Sequence, residues 1–175
     1  MPSVIIVGAG GHSRVVAEAI LRQGNMDIAG FLDDNTPVGT TVFNNQQVKG
    51  PVSLQGLDTG ITHFVIAIGN NAVREKLYTE FSAHLLPHTV IHPAAYVAME
   101  VTIGSGSVVL AGAVINTGAH IGENCIINSN ALVDHDSSIG SHTHIGQSSS
   151  VGSGCKITER SWVKPGEIVQ SPYYK

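Results

Sequence analysis

With 175 residues the chain can bury a sizeable core, in one large domain or two small ones. Nine Lys and Arg against thirteen Asp and Glu leave a net charge of −4, which excludes the basic footprint of a nucleic-acid or anionic-lipid binder. The opening MPSVIIVGAGG has no basic n-region, and no apolar run approaches the roughly 20 residues of a membrane span. Cys125 and Cys155 have no zinc-binding spacing. A cytoplasmic setting is expected.

Residues 3–8, SVIIVG, read as a buried parallel strand, followed by the glycine turn Gly8-Ala9-Gly10-Gly11. From His12 to Leu21 the apolar residues Val15, Val16, Ala19 and Ile20 recur at helical spacing. A second strand, Ile28 to Leu32, ends in Asp33-Asp34. A third, His63 to Ile68, ends in Gly69-Asn70-Asn71 and leads into a helix from about Ala72 to Phe81. Strand, glycine turn, helix and strand make a βαβ unit, so residues 1–88 are expected to form a Rossmann-like α/β domain. A short strand near Thr89 to Ile91 enters the second part, 89–175.

The glycine turn falls short of a dinucleotide fingerprint, because G-x-G-x-x-G needs glycine where Ser13 stands. A glycine turn before a helix still offers free N–H groups to an anion. An acidic pair after the next strand can accept from sugar hydroxyls or base amides. The chemistry favours a phosphate-bearing nucleotide over NAD or FAD.

From Ile91 to Val169 every sixth residue is Ile or Val, fourteen in succession. Four places after nearly all of them comes a small residue, for example Ala113, Ala119, Cys125, Ala131, Ser137 and Thr143. One place after come many Gly, Asn and Asp, expected to take the corner conformations. A period of six fits neither helix nor hairpin. It fits a short strand plus a turn, repeated as a parallel β-solenoid of four to five coils. Both cysteines occupy small inward positions on different faces, as structural thiols.

His135 and Asp136 set an imidazole beside a carboxylate. Imidazole titrates near neutral pH and can take a proton from an attacking nucleophile, and a neighbouring carboxylate stabilises the imidazolium. Adjacent residues on a flat strand point to opposite faces, so Asp136 reaches His135 only where a corner bends the chain; Asp134 is an equally near alternative. His142 and His144 form an H-x-H pair without a further ligand in register, so no metal is expected. Trp162, eighteen residues after His144, should stack one coil above it.

The segments VGAGGHSRVV (7–16), FLDDN (31–35), AIGNNAVREK (67–76) and INSNALVDHDSSIGSHTHIG (127–146) together resemble one family. It is the group of sialic acid O-acetyltransferases and UDP-amino-sugar N-acetyltransferases, of the hexapeptide-repeat acyltransferases. The resemblance implies a left-handed β-helix, a homotrimer, and acetyl-CoA as co-substrate in a groove between neighbouring prisms. It implies that Gly10, Gly11, His12, Asp33, Asp34 and Gly69 bind a nucleotide-sugar. It further implies that His135 is the general base, tuned by Asp136, and that His144 and Ser153 contact acetyl-CoA. Members extend some tens of residues further. Here the hexads fade at SWVKPGEIVQ, where Glu167 breaks the small-residue rule, and SPYYK follows, which fits either a short prism with an atypical cap or a reduced groove for the adenine end of the coenzyme. The leading expectation is N-acetylation of a nucleotide-linked amino sugar. The alternatives are O-acetylation of a sugar such as sialic acid, or a nucleotide-binding module that has lost catalysis.

Overall fold

In the computed structural model, which describes residues 1–170, two architectures follow each other along the chain. The SPYYK segment lies outside the described residues. The first part is a six-stranded sheet. Its strands are β1 (Ser3–Val7), β2 (Asp27–Leu32), β3 (Thr41–Phe43), β4 (Gln46–Gly50), β5 (Ile61–Ile66) and β6 (Leu86–Pro87), in the order β3-β4-β2-β1-β5-β6. All neighbours are parallel except the β3–β4 hairpin. Helix α1 (Gly11–Gln23) buries Val16, Ala17, Ala19 and Ile20 against one face, with Val4, Ile6 and Phe31. Helix α2 (Asn71–Ser82) buries Tyr78 and Phe81 against the other, with Ile5, Val7 and Phe64. Covered on both sides, β1 is apolar throughout Val4–Val7, as a central parallel strand requires.

The hairpin and β6 were not anticipated. The hairpin turns on Asn44 and Asn45, both at positive φ (44° and 63°), the requirement of a type I′ turn.

The second part is a left-handed parallel β-helix with fourteen two-residue strands among the described residues. Its first face stacks β7 (Val90–Ile91), β10 (Val108–Val109), β13 (Ile126–Ile127), β16 (His144–Ile145) and β19 (Trp162–Val163). The second stacks β8 (Tyr96–Val97), β11 (Val114–Ile115), β14 (Leu132–Val133), β17 (Ser150–Val151) and β20 (Ile168–Val169). The third stacks β9 (Thr102–Ile103), β12 (His120–Ile121), β15 (Ser138–Ile139) and β18 (Lys156–Ile157). The ladder aliphatics and the small residues meet inside in one core. Both cysteines are free, Cys125 buried beside the first face and Cys155 beside the third.

The corners differ from the expectation in one respect. From Ile103 to Val163, positive φ falls three residues after each aliphatic, with values of 52–60° at Asn124, Asn130, Asp136 and His142. The glycines one place after the aliphatic answer a different need. A Cβ on Gly122 would lie 2.6 Å from the Ser141 backbone nitrogen of the next coil. Replacing Gly122 with Ala therefore forces two coils apart and is expected to cost about 1–3 kcal/mol, read as a lower urea midpoint. An unchanged midpoint would show that the coils can slide.

At Glu167 the small-residue rule fails but the coil persists. The side chain is exposed and accepts from Lys164 N, while β20 still pairs with β17 in register.

The outward column of the first face reads Val90, Val108, Ile126, His144, Trp162. Its three aliphatics are buried, with Val90 and Val108 packed in the cluster that includes α1, whereas Trp162 is 59 % exposed. His144 therefore stands where the cover of the N-terminal part ends. No helix among the described residues is long and apolar enough to cross a membrane.

Candidate functional site

The turn after β1 separates into structural and open glycines. Gly8 has φ 107°, and a Cβ there would lie 3.0 Å from Ala67 O, so packing demands glycine. Gly10, Gly11 and Gly69 have nothing within 4 Å of a notional Cβ. Their backbone faces space that a ligand can approach. Gly10 is the N-cap of α1 and offers no side-chain cap, which leaves the first-turn N–H groups available to an anion. Ser13, standing where the fingerprint would have glycine, is fully buried and its hydroxyl donates to Gly10 O at 2.6 Å.

Asp33 ties this turn to the end of β2. Its Oδ2 accepts from Ala9 N at 2.9 Å, and Oδ1 accepts from Asn35 N and Thr36 N. Burial works against its charge, but these donors prevail and hold the carboxyl below its ordinary range. Asp34 accepts from Val52 N at 2.8 Å and is otherwise exposed. Both carboxylates thus shape the loop.

A second group gathers where the two parts of the chain meet. The rings of His12 and His144 stack with centroids 6.4 Å apart. Asn128 Nδ2 donates to His144 Nε2 at 3.1 Å, since Asn128 Oδ1 is taken by Ser129 N. The His144 ring is also hydrogen-bonded to the Gly69 backbone. Asn128 and the Gly69 backbone thus orient the His144 ring. Burial, then the nearby Arg74, lowers its pKa. His12 falls further, to about 4, through burial and then the proximity of His144 and Arg74, and its Nε2 has no partner. A cleft of about 350 Å³ opens here, lined by Gly69, Asn70, Asn71, His144 and Trp162. Trp162 pairs directly above His144, as the spacing predicts. A larger hollow of about 580 Å³ under residues 49–61 contains none of the candidate residues.

The third group lies at a different prism edge, the corner between the second and third faces. Asp136 adopts φ 59°, and this bend brings its Oδ2 to 2.8 Å from His135 Nδ1. The alternative partner, Asp134, accepts instead from Asn116 Nδ2 and from the His135 backbone N–H. His135 Nδ1–H thus donates to Asp136 and leaves Nε2 free. The Asp136 bond raises the imidazole pKa. Ser153 stands one coil above, where Gly154 N donates to His135 O. Ser153 therefore keeps company with His135 and not with His144. Replacing Asp136 with Asn removes the group that raises this pKa, so the acid limb of the kcat/KM profile is expected to move to lower pH. An unmoved limb would detach Asp136 from the titrating group.

Sequence reasoning missed Arg74, Asn71 and Glu75, which carry the contact between α2 and the prism. Asn71 Nδ2 donates to Arg160 O and Ser161 O, and Glu75 forms a two-bond pair with Arg160 at 2.5 Å. Their signal was the recurrence of polar residues at 71, 74, 75 and 78, one helical face. His142 points to Asn124 and Glu75, away from His144. Among the described residues no group of three His, Cys, Asp or Glu converges as a metal site would require.

Residues 3–81 match the family described as the PglD N-terminal domain, and residues 100–135 match bacterial transferase hexapeptide (six repeats). UDP-N-acetylbacillosamine N-acetyltransferase of Bacillus subtilis (strain 168) is 35 % identical over 114 residues, covering 63 % of this chain and 52 % of that protein. The match thus spans about half the length of that relative. The acetyltransferase domain of PglB from Neisseria gonorrhoeae FA1090 superimposes with a TM-score of 0.83 at 28 % identity, over 97 % of this chain and 92 % of that one. The same domain is known in complex with acetyl coenzyme A. A variant of perosamine N-acetyltransferase from Caulobacter crescentus, in complex with CoA and GDP-perosamine, matches with a TM-score of 0.80 at 30 % identity, over 96 % and 88 % of the two chains.

Proposed function

Because the chain belongs to the family that joins a PglD N-terminal domain to hexapeptide repeats, we propose that it transfers an acetyl group from acetyl-CoA to the amino group of a nucleotide-linked sugar. Residues 1–88 form the nucleotide-sugar domain and residues 89–175 the acyltransferase domain. The observation that carries the reading is the pairing of an open glycine turn braced by Asp33 with a prism edge that presents His135 Nε2 unencumbered.

Gly10, Gly11 and the first turn of α1 receive the diphosphate, while Asp33, Asp34 and Gly69 contact the sugar nucleotide. His12 closes the far side of that pocket against His144. Acetyl-CoA supplies an acetyl group already activated as a thioester, so no serine or cysteine nucleophile is required. His144, Trp162 and Ser153 line its path, and the open cleft beside His144 fits a thin chain of this kind. His135 Nε2 takes the proton from the attacking amine, and Asp136 holds the imidazolium so formed. The proton then passes from His135 to the departing thiolate sulfur.

His135 and His144 lie on different sides of one prism. A single site that uses both draws them from neighbouring copies, which supports a homotrimer with the groove between prisms. Free buried thiols fit a reducing cytoplasm.

The test is thiol release from acetyl-CoA with UDP- and GDP-linked amino sugars, other nucleotide-amino sugars and free sialic acid. Turnover with a nucleotide-amino sugar supports the reading, and turnover with sialic acid alone replaces it by O-acetylation. Silence with every acceptor, together with no calorimetric binding of acetyl-CoA, sinks it. Sedimentation should show a trimer; a monomer would dissolve the shared groove.

A further inference from the structure

Arg74 is 1 % exposed, among the largest fully buried side chains of the protein, and no carboxylate pairs with it among the described residues. A buried cation is costly unless its donors are satisfied, and here all the partners are neutral oxygens. Nε donates to Asn124 O at 3.0 Å and Nη2 to His142 O at 2.6 Å. These two carbonyls occupy the same corner position in successive coils, eighteen residues apart. Nη1 donates to Ile68 O and Gly69 O, both at 3.2 Å, and Nη2 also to Asn71 Oδ1 at 2.8 Å. Burial draws the guanidinium down to about 10, still protonated at neutral pH.

The pattern of acceptors is informative. One side of the planar fork reads the loop that follows β5, and the other reads two rungs of the prism. The Gly69 backbone is also the partner of the His144 ring. We propose that Arg74 is a positioning residue: it locks the 68–71 loop onto the prism at the rungs of Asn124 and His142, and through Gly69 it fixes the orientation of the His144 ring. The loop that faces the nucleotide-sugar and the histidine that faces the coenzyme then move as one body. This role rests on the acetyltransferase reading for its consequence in catalysis but not for its geometry. The groups facing His144 are His12 from α1, Arg74 from α2, Asn128 from the coil below and Trp162 from the coil above.

Lysine keeps the charge but cannot reach both sides of the fork. In Arg74→Lys the Gly69 carbonyl is released, and kcat is expected to fall about 10²-fold, the penalty typical of a displacement near 1 Å at a reacting centre. Nitrogen-15 spectra of the histidines supply a readout that loss of stability alone would not move. In the wild-type protein His144 should show one tautomer, with a bare Nε2, and in folded Arg74→Lys a mixture. A folded variant that keeps the wild-type His144 spectrum and the wild-type kcat overturns the proposal. Should Arg74→Lys fail to fold, the wild-type guanidinium decides. Resolved, slowly exchanging Nη protons support the clamp, and averaged, rapidly exchanging ones overturn it. If the wild-type protein transfers acetyl to no acceptor, the functional reading fails while both spectra still judge Arg74.

Discussion

Replacing His135 with alanine is expected to lower acetyl transfer by about 10²–10⁴-fold, the range typical of a lost general base. The argument begins at the corner. Asp136 sits at φ 59°, which turns the chain and lets its carboxylate reach His135 Nδ1. That bond leaves Nε2 as the only free lone pair of the ring, whereas the Nε2 of His144 is already bonded to Asn128 within the chain. Of the histidines in the repeat motif, His135 alone combines a carboxylate partner with an open Nε2. Its side chain is 48 % exposed, so its removal should leave the melting temperature nearly unchanged. A fall in rate without a fall in stability is therefore the expected signature. A variant that retains the wild-type rate removes His135 from the chemistry, whichever sugar is the acceptor.

The largest effect on stability should come from Ile127→Ala, at about 2–5 kcal/mol. Ile127 has no exposed surface and is paired in register with Val109 below and Ile145 above. Both neighbours belong to rigid coils that cannot close on the cavity without breaking their own ladders, so relaxation is limited. The urea midpoint should fall with the slope unchanged. Ile103, only partly buried, should lose less on the same substitution. Equal losses at both positions would mean that the stack relaxes around cavities more freely than its register implies.

The prism was readable from sequence because a solenoid repeats one burial rule, and Ile or Val at every sixth place has no other physical source. The corners were less readable. The positive-φ position is filled by glycine at 106, 112, 118, 154 and 166 but by Asn124, Asn130, Asp136, His142, Ser148 and Arg160 elsewhere, so no single residue type marks it. The regular glycines at 104, 122 and 140 drew the eye instead, and they serve close approach between coils. The hairpin had a local signal in Asn44-Asn45 that was overlooked. The α2 contact had little, since a polar stripe of Asn71, Arg74 and Glu75 packed against the prism gives the hydropathy of an exposed one. The candidate site was legible as residue types in motifs, but not in its grouping. That His12 meets His144, while Ser153 goes with His135, depends on which face each coil presents.

Helix α2 touches four consecutive coils at one prism edge. Tyr78 reaches Ser105, Arg74 reaches Asn124 and His142, and Asn71 with Glu75 reaches Arg160 and Ser161. A bare solenoid unravels rung by rung, because each repeat is held only by its neighbours. A helix fastened to four rungs acts as a splint, so that peeling away one rung strains the other three. The β-helix and the N-terminal sheet should consequently melt in one cooperative event, and the edge that carries His142 and Arg160 should be the last to exchange its amide hydrogens.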